Sequence, residues 1–271
     1  MTTNSTPPVK PRGPKVSRRA QFWLIRIASL AVFLLAWNWY GNQPTQYAVA
    51  PPAEVLTDLV DNIANGVLLT ALAGTAAIML TGLVIAAAVG IALGLLIGSS
   101  EFADNTLTPL VNAGNTAPMT LLIPIIGVYT GIDFWGKVFL VFAFSVFVLL
   151  INTEAGVRAV SSALLETAES FSLTRWQMVR HVVLPATTPY VLTGLRLGIG
   201  RAFRGAIVAD LLLAVSNLGE VLVTAGSTLN ISLLLAGILF TTLIGVLLMA
   251  FVEWAEKRWV RWLPKNSATD F

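Results

Sequence analysis

Long apolar runs separated by short polar stretches set the pattern of this chain: residues 22–40, 67–98, 107–129, 138–151, 189–213 and 231–252 are each dominated by aliphatic and aromatic side chains. The hydrocarbon core of a bilayer takes about 20 helical residues to cross, and only helices or closed barrels satisfy their backbone there, so the runs predict six membrane spans in an all-α integral membrane fold. The first run has Arg26 near its start and Trp37, Trp39 and Tyr40 at its end, where indole and phenol rings favour the headgroup layer. After it, the stretch PPAEVLTDLVDNIANG (51–66) spaces Val55, Leu59 and Ile63 along one face of an amphipathic helix with acids opposite, expected to lie outside the bilayer and against it. Gly90, Gly94 and Gly98 recur at four-residue intervals in the second run, a spacing that lets another helix backbone approach closely in lipid.

Composition agrees with this pattern. Of 271 residues, 56% are hydrophobic and 11% charged, with a mean hydropathy of +0.77, more apolar surface than a soluble core buries. The net charge of +3 comes from 17 basic against 14 acidic residues, and the basic residues cluster beside spans, so they set orientation and do not point to nucleic acid. Lys10, Arg12, Lys15, Arg18 and Arg19 precede the first span, Arg158, Arg175 and Arg180 lie in the 152–188 segment, and Lys257, Arg258, Arg261 and Lys265 follow the last span, while Lys137 stands alone on the opposite side. Both termini and the central segment are therefore expected in the cytoplasm, with Lys137 a headgroup anchor. The resulting division is a disordered basic tail at 1–21, a first span and outer loop at 22–49, a transmembrane body at 50–260 and a cytoplasmic tail at 261–271. Ser17-Arg18-Arg19 and Ala48-Val49-Ala50 have some features of a twin-arginine leader, but Gln21 displaces the expected Phe and the cut would lie well past the apolar run.

Catalytic chemistry finds no residues to carry it. The chain has no cysteine and one histidine, His181, which excludes disulfides, thiolate sites and histidine clusters; no catalytic residue, metal site or cofactor is expected. Gly131 to Lys137 has the G-x-x-x-x-G-K spacing of a phosphate loop, yet Val138 replaces the required hydroxyl and the segment joins two spans.

Between spans four and five lies a polar, helix-forming segment, ETAESFSLTRWQMVRHVVLP (166–185). Thr174 and Gln177 have capping-box spacing, so one helix should end near Ser172 and a second begin at Thr174. Pro185 is expected to stop that second helix, and Pro189 to help aim the chain back into the bilayer.

These residues resemble the permease subunits of binding-protein-dependent ABC importers, which carry Glu-Ala-Ala, a Gly six positions after the Glu, and Ile-x-Leu-Pro ten positions beyond that Gly. Glu166, Ala168, Leu184 and Pro185 fall in register; Thr167 replaces Ala, Ser172 replaces Gly and Val182 replaces Ile. HVVLPATTPYVLTGLRLGIGRAFRGAIVADLL (181–212) is similar to the branch that imports nitrate, taurine and alkanesulfonates, with Asp210 where Glu is usual. Ser216-Asn217-Leu218-Gly219 resembles that branch's Ser-Gly-Leu-Gly turn, and 117–131 its Pro-rich third span, so the likeness covers roughly residues 50–260. The resemblance implies a six-span type I ABC importer permease in a bacterial inner membrane, pairing with a second permease copy and receiving solute from an extracytoplasmic solute-binding protein. It also implies a cytoplasmic coupling helix, with Glu166, Thr167, Ala168, Ser172, Leu173, Leu184 and Pro185 docking on ABC ATPase subunits that hydrolyse the ATP.

Charges inside span five are expected to face protein or a water-filled path, because lone charges are costly in lipid. Arg201 and Arg204 share a helix face and are candidates for lining the path, as are Asn115, Thr116 and Pro118, whose polarity and irregular backbone suit a cavity. Asp210 points away from Arg201 and is expected to pair across helices or join the path. Arg196 is expected to be structural. An anionic solute would suit the arginines; a vitamin or pyrimidine precursor carried by the same class of permease remains an alternative. A stand-alone secondary transporter is the other class, but neither duplicated segments nor matched intramembrane acids support it.

Overall fold

The computed structural model describes residues 18–43 and 49–259, so the 261–271 tail and most of the 1–21 tail lie outside the described residues. Among the described residues all regular structure is helical. The chain runs through α1 (Arg18–Gly41), α2 (Pro52–Ala64), α3 (Val67–Ser99), α4 (Glu101–Thr116), a 3-10 turn (Met119–Leu122) leading into α5 (Ile123–Thr130), α6 (Phe134–Arg158) and α7 (Ser162–Ser170). It continues through α8 (Arg175–Met178), a π turn (Val179–Val183), α9 (Leu184–Val208), a second π turn (Ala209–Leu213), α10 (Asn217–Ser227) and α11 (Ile231–Trp259). Five helices are long and apolar enough to cross a membrane, or six when the bent pair Glu101–Thr116 and Met119–Thr130 is taken as one span.

The centre of the fold is α3, α6 and α9, packed through small residues. A Cβ at Gly82, Gly94 or Gly98 of α3 would lie 2.6 Å from the Cβ of Val141, Thr153 or Val157 of α6, and one at Gly90 would lie 2.9 Å from that of Leu149. In lipid no hydrophobic force drives helices together, so this close approach, which maximises van der Waals contact, holds the pair. The predicted four-residue glycine stripe therefore packs on α6. Gly198 and Gly205 of α9 receive Leu149 and Phe144 in the same way. Ile78, Met79, Leu83, Val141, Leu149, Ala202 and Ala206 fill the space between the three helices.

Three expectations need correction. The third span is not one helix over 107–129: it begins at Glu101 and breaks at Ala117–Pro118, where the two halves meet at 88°. Pro118 disfavours an α conformation in the residue before it, and Ala117 is accordingly extended at φ −60°, ψ 133°. Pro185 does not stop its helix either. The chain is helical from Trp176 to Leu213, because the π turn before it bonds Leu184 N to Val179 O, a wider ring, and Pro185 falls in the first turn of α9, where its missing N–H costs little. Finally, α2 does not merely rest on a bilayer: Val55 is buried with Ala50 and Ala236, and Leu59 and Ile63 pack on Leu68 and Phe240. α1 is held near its end by Trp37 Nε1 donating to Ala50 O at 3.0 Å, while Phe22, Leu24, Ile27 and Leu35 face outward.

The ends of α3 and α6, the start of α4 and the start of α9 meet at one end of the bundle, the elbow end, where α7 and α8 connect α6 to α9; α2 and α10 meet the start of α3 at the far end.

Candidate functional site

At the elbow end, α7 is defined at both termini. Ser161 caps it by accepting from Leu164 N. At its other end Ser172 N donates to Glu169 O at 2.7 Å and Leu173 N to Ala168 O at 3.5 Å, the bond pattern of a Schellman motif, which needs a left-handed residue after the cap. That residue is Ser172, with φ +54°, so the backbone shape normally given to Gly is kept at a steric cost. Thr174 then opens α8 as predicted: Thr174 N donates to Gln177 Oε1 at 2.9 Å, and Gln177 N to Thr174 Oγ1 at 3.3 Å. Ala168 is buried and Leu173 half-buried, whereas Glu166, Thr167, Ser172, Leu184 and Pro185 are exposed. Phe171 and Trp176, which sequence reasoning passed over, are 77% and 70% exposed. Two large exposed aromatics in a polar segment between spans were the available signal.

Away from the elbow, Arg201, half-buried, and Arg204, exposed, line one open cavity of about 310 Å3 together with Asn115, Thr120, Phe144 and Phe147. Their three-residue spacing on α9 places both guanidinium groups on that side, as expected. Arg201 Nη1 donates to Asn115 Oδ1 at 3.0 Å, and Arg204 Nε to Gly200 O at 3.1 Å. Neither has a carboxylate partner among the described residues. The cavity is bounded by the break in the third span, through Ala117 and Met119. Thr116 and Pro118 are exposed and do not line it; Thr116 Oγ1 instead donates to Asn112 O. Arg196 is held by Glu256 at 3.2 Å, a bracing contact as expected.

Asp210 does not line this cavity. It is fully buried in the second π turn, where it accepts from Thr75 Oγ1 at 2.6 Å, Asn217 Nδ2 at 3.0 Å and Ser216 Oγ at 3.1 Å. It also pairs with Lys137 Nζ at 3.3 Å. Lys137, expected as a lone headgroup anchor, is instead a buried partner that also bonds Ser216. The reason is position: Asp133 caps α6, so Lys137 sits one turn inside that helix and faces the π turn. Asn217 has φ +49°, and its amide occupies the space that a side chain at Gly74 would fill. This cluster fastens α10 to α3, α6 and α9.

Residues 89–261 match the family described as binding-protein-dependent transport system inner membrane component. A Bacillus subtilis protein named for aliphatic sulfonates transport, the permease protein SsuC, is 28% identical over 250 residues, covering 92% of this chain and 91% of its own. The taurine transport system permease protein TauC of Escherichia coli is 26% identical over 88% of this chain and 89% of its own. The nitrate import permease protein NrtB of Synechocystis sp. is 30% identical over 63% and 62%. Among solved structures, a chain of the inward-facing MetNI methionine ABC transporter superposes with a TM-score of 0.57 at 20% identity, over 72% of this chain and 95% of that one, and shares the fold.

Proposed function

This chain belongs to the family of binding-protein-dependent transport system inner membrane components, and from that premise we propose that its arginine cavity passes a small anionic solute while the elbow takes its motion from a separate ATPase. The chain is a multi-pass inner-membrane transport permease component. The observation that carries the anionic reading is the pair Arg201 and Arg204, two guanidinium groups in one cavity with no carboxylate among the described residues to neutralise them. Such a pair lowers the Coulomb barrier to an anion and raises it for a cation. The names of relatives, which speak of aliphatic sulfonates, taurine and nitrate, support an oxyanion-bearing solute.

In this reading the elbow end is cytoplasmic, consistent with the excess of Lys and Arg there. Glu166, Thr167, Leu184 and Pro185, with Phe171 and Trp176, form the docking surface for a cytoplasmic ATPase subunit; Ala168, Ser172 and Leu173 hold its shape. A second copy of the chain completes the path, and a solute-binding protein delivers solute at the far end. Uptake of labelled taurine, ethanesulfonate and nitrate into proteoliposomes holding the permease, its ATPase and its binding protein tests the cavity. Arg204→Gln should cut anion uptake by about tenfold, the effect of losing one favourable charge contact, with basal ATP hydrolysis unchanged. Unaltered uptake of every transported anion would overturn the assignment.

A further inference from the structure

Helix α4 joins the root of the elbow to the arginine cavity. At its elbow end Asp104 Oδ1 accepts from Arg158 Nη2 at 2.5 Å, and Arg158, the last residue of α6, also meets Glu154 at 2.7 Å. Asp104 is fixed on its own helix by Thr108 Oγ1 at 2.6 Å. Only three residues separate Arg158 from α7, and they are tied down: Ala159 N and Val160 N bond Ala155 O and Val157 O, and Ser161 caps α7. Any displacement of α7 therefore reaches Arg158 with little slack.

The other end of α4 carries Asn115, which accepts from Arg201 in the cavity wall. Sixteen residues of helix span about 24 Å, at 1.5 Å per residue, and Pro109 inside it removes one backbone hydrogen bond from its middle. Between its ends the helix packs on one side, through Leu107 beside a buried pair and through Gly114, where a Cβ would lie 2.4 Å from Phe147 Cζ. Ala103 and Val111 are its buried residues, packed with Ile97 and Leu150, whereas Phe102 and Leu110 face outward. Immediately beyond Asn115 the chain breaks by 88° at Ala117–Pro118, so α4 and α5 are not one continuous rod. A helical segment, anchored by charge at one end, bonded to a cavity arginine at the other and bent next to that bond, has the parts of a strut.

We infer that α4 carries displacement of α7 into the cavity, with Asp104 and Arg158 as the positioning pair that attaches it. This rests on the proposed coupling to an ATPase. The ion pair is partly exposed, so it contributes little to stability, and its replacement should leave the fold intact while uncoupling the two ends. The test reads the transmitted motion directly.

The chain has no cysteine, so Thr120→Cys places a single reporter thiol on the cavity wall. In the permease–ATPase complex in nanodiscs, its rate of reaction with a polar maleimide is compared without nucleotide and with ATP and vanadate. The parent should change rate by about fivefold or more, the usual lower bound of a coupling between sites. Asp104→Arg should abolish most of that change with basal ATP hydrolysis preserved, and the swap Asp104→Arg with Arg158→Asp, made together with Glu154→Gln to remove the like charge that would otherwise face the new carboxylate, should restore it. Asp104→Asn serves if the reversal does not assemble, and should weaken the response. A response that survives both Asp104 variants, or that the swap fails to restore, overturns the strut. A parent without any nucleotide response overturns the underlying coupling, and the strut with it.

Discussion

Ser172 and Asn217 share one backbone sign, with φ of +54° and +49°, and both stand where the resembled pattern has Gly. Asn tolerates the left-handed region through its short polar side chain, whereas Ser bears a penalty of about 1 kcal/mol. Ser172→Gly is therefore expected to raise stability by up to that amount in thermal unfolding of the purified protein with uptake retained, and Ser172→Val to lower both. At Lys137 the outcome is larger. Lys137→Met leaves Asp210 buried without its counter-charge, at a cost of roughly 3–5 kcal/mol, and Asp210→Asn added to it should recover most of the loss, because the neutral amide's oxygen still accepts from Asn217 and Ser216 while the Thr75 hydroxyl, which already donates to Ala71 O, can accept from its N–H. Melting of the two variants against the parent checks this. Local chemistry of this kind was legible where partners are near in sequence: the Thr174–Gln177 box and the shared face of Arg201 and Arg204 follow from spacing alone. The bond between Lys137 and Asp210 crosses 73 positions, and no periodicity reports such a pairing, so Lys137 read as solitary.

Among the elements, the spans were readable because a bilayer demands long apolar helices, and their ends were less so because polar residues continue a helix once protein surrounds them. α6 runs on through Asn152, Thr153 and Glu154 to Arg158, well past the apolar run at 138–151. The third span misled for a different reason: hydropathy is blind to direction, and Pro118 turns the chain without making it less apolar. Replacing the proline should remove the steric cause of the bend. Pro118→Ala is expected to straighten the α4–α5 junction, displace Ala117 and Met119 from the cavity wall and reduce uptake, with spin labels on Asn112 and Val128 reporting a longer separation. Close helix packing gives a sharper contrast. Gly94→Leu forces a side chain against Thr153 Cβ at 2.6 Å and Leu150 O at 2.7 Å, an overpacking cost of about 1–3 kcal/mol, whereas a Cβ at Gly226 meets nothing within 4 Å. The first variant should melt lower than the parent in detergent, and Gly226→Ala should not.

For the whole molecule, the proposed mechanism links two places that the sequence separates by some thirty residues: an elbow carrying exposed Phe171 and Trp176, and a cavity carrying Arg201 and Arg204. Charge bias along the chain argued for the side on which the elbow lies, and the fold places it at the end of the bundle where α6 terminates, one α4 length from the cavity. What the sequence could not supply was the connection, because Asp104, Arg158 and Asn115 meet their partners only after the helices pack. Membrane composition and helix packing alone would be met by many bundles, so the distinguishing claim is that the elbow touches an ATPase on the cytoplasmic face. A photoreactive residue placed at Phe171, in membranes expressing the full transporter, tests it most directly. The expected result is an adduct to a nucleotide-binding subunit, weakened by Glu166→Ala, together with labelling of a single cysteine at Thr167 from the cytoplasmic side alone. Labelling of Thr167→Cys from the opposite face, with no adduct to any ATPase subunit, would contradict the account.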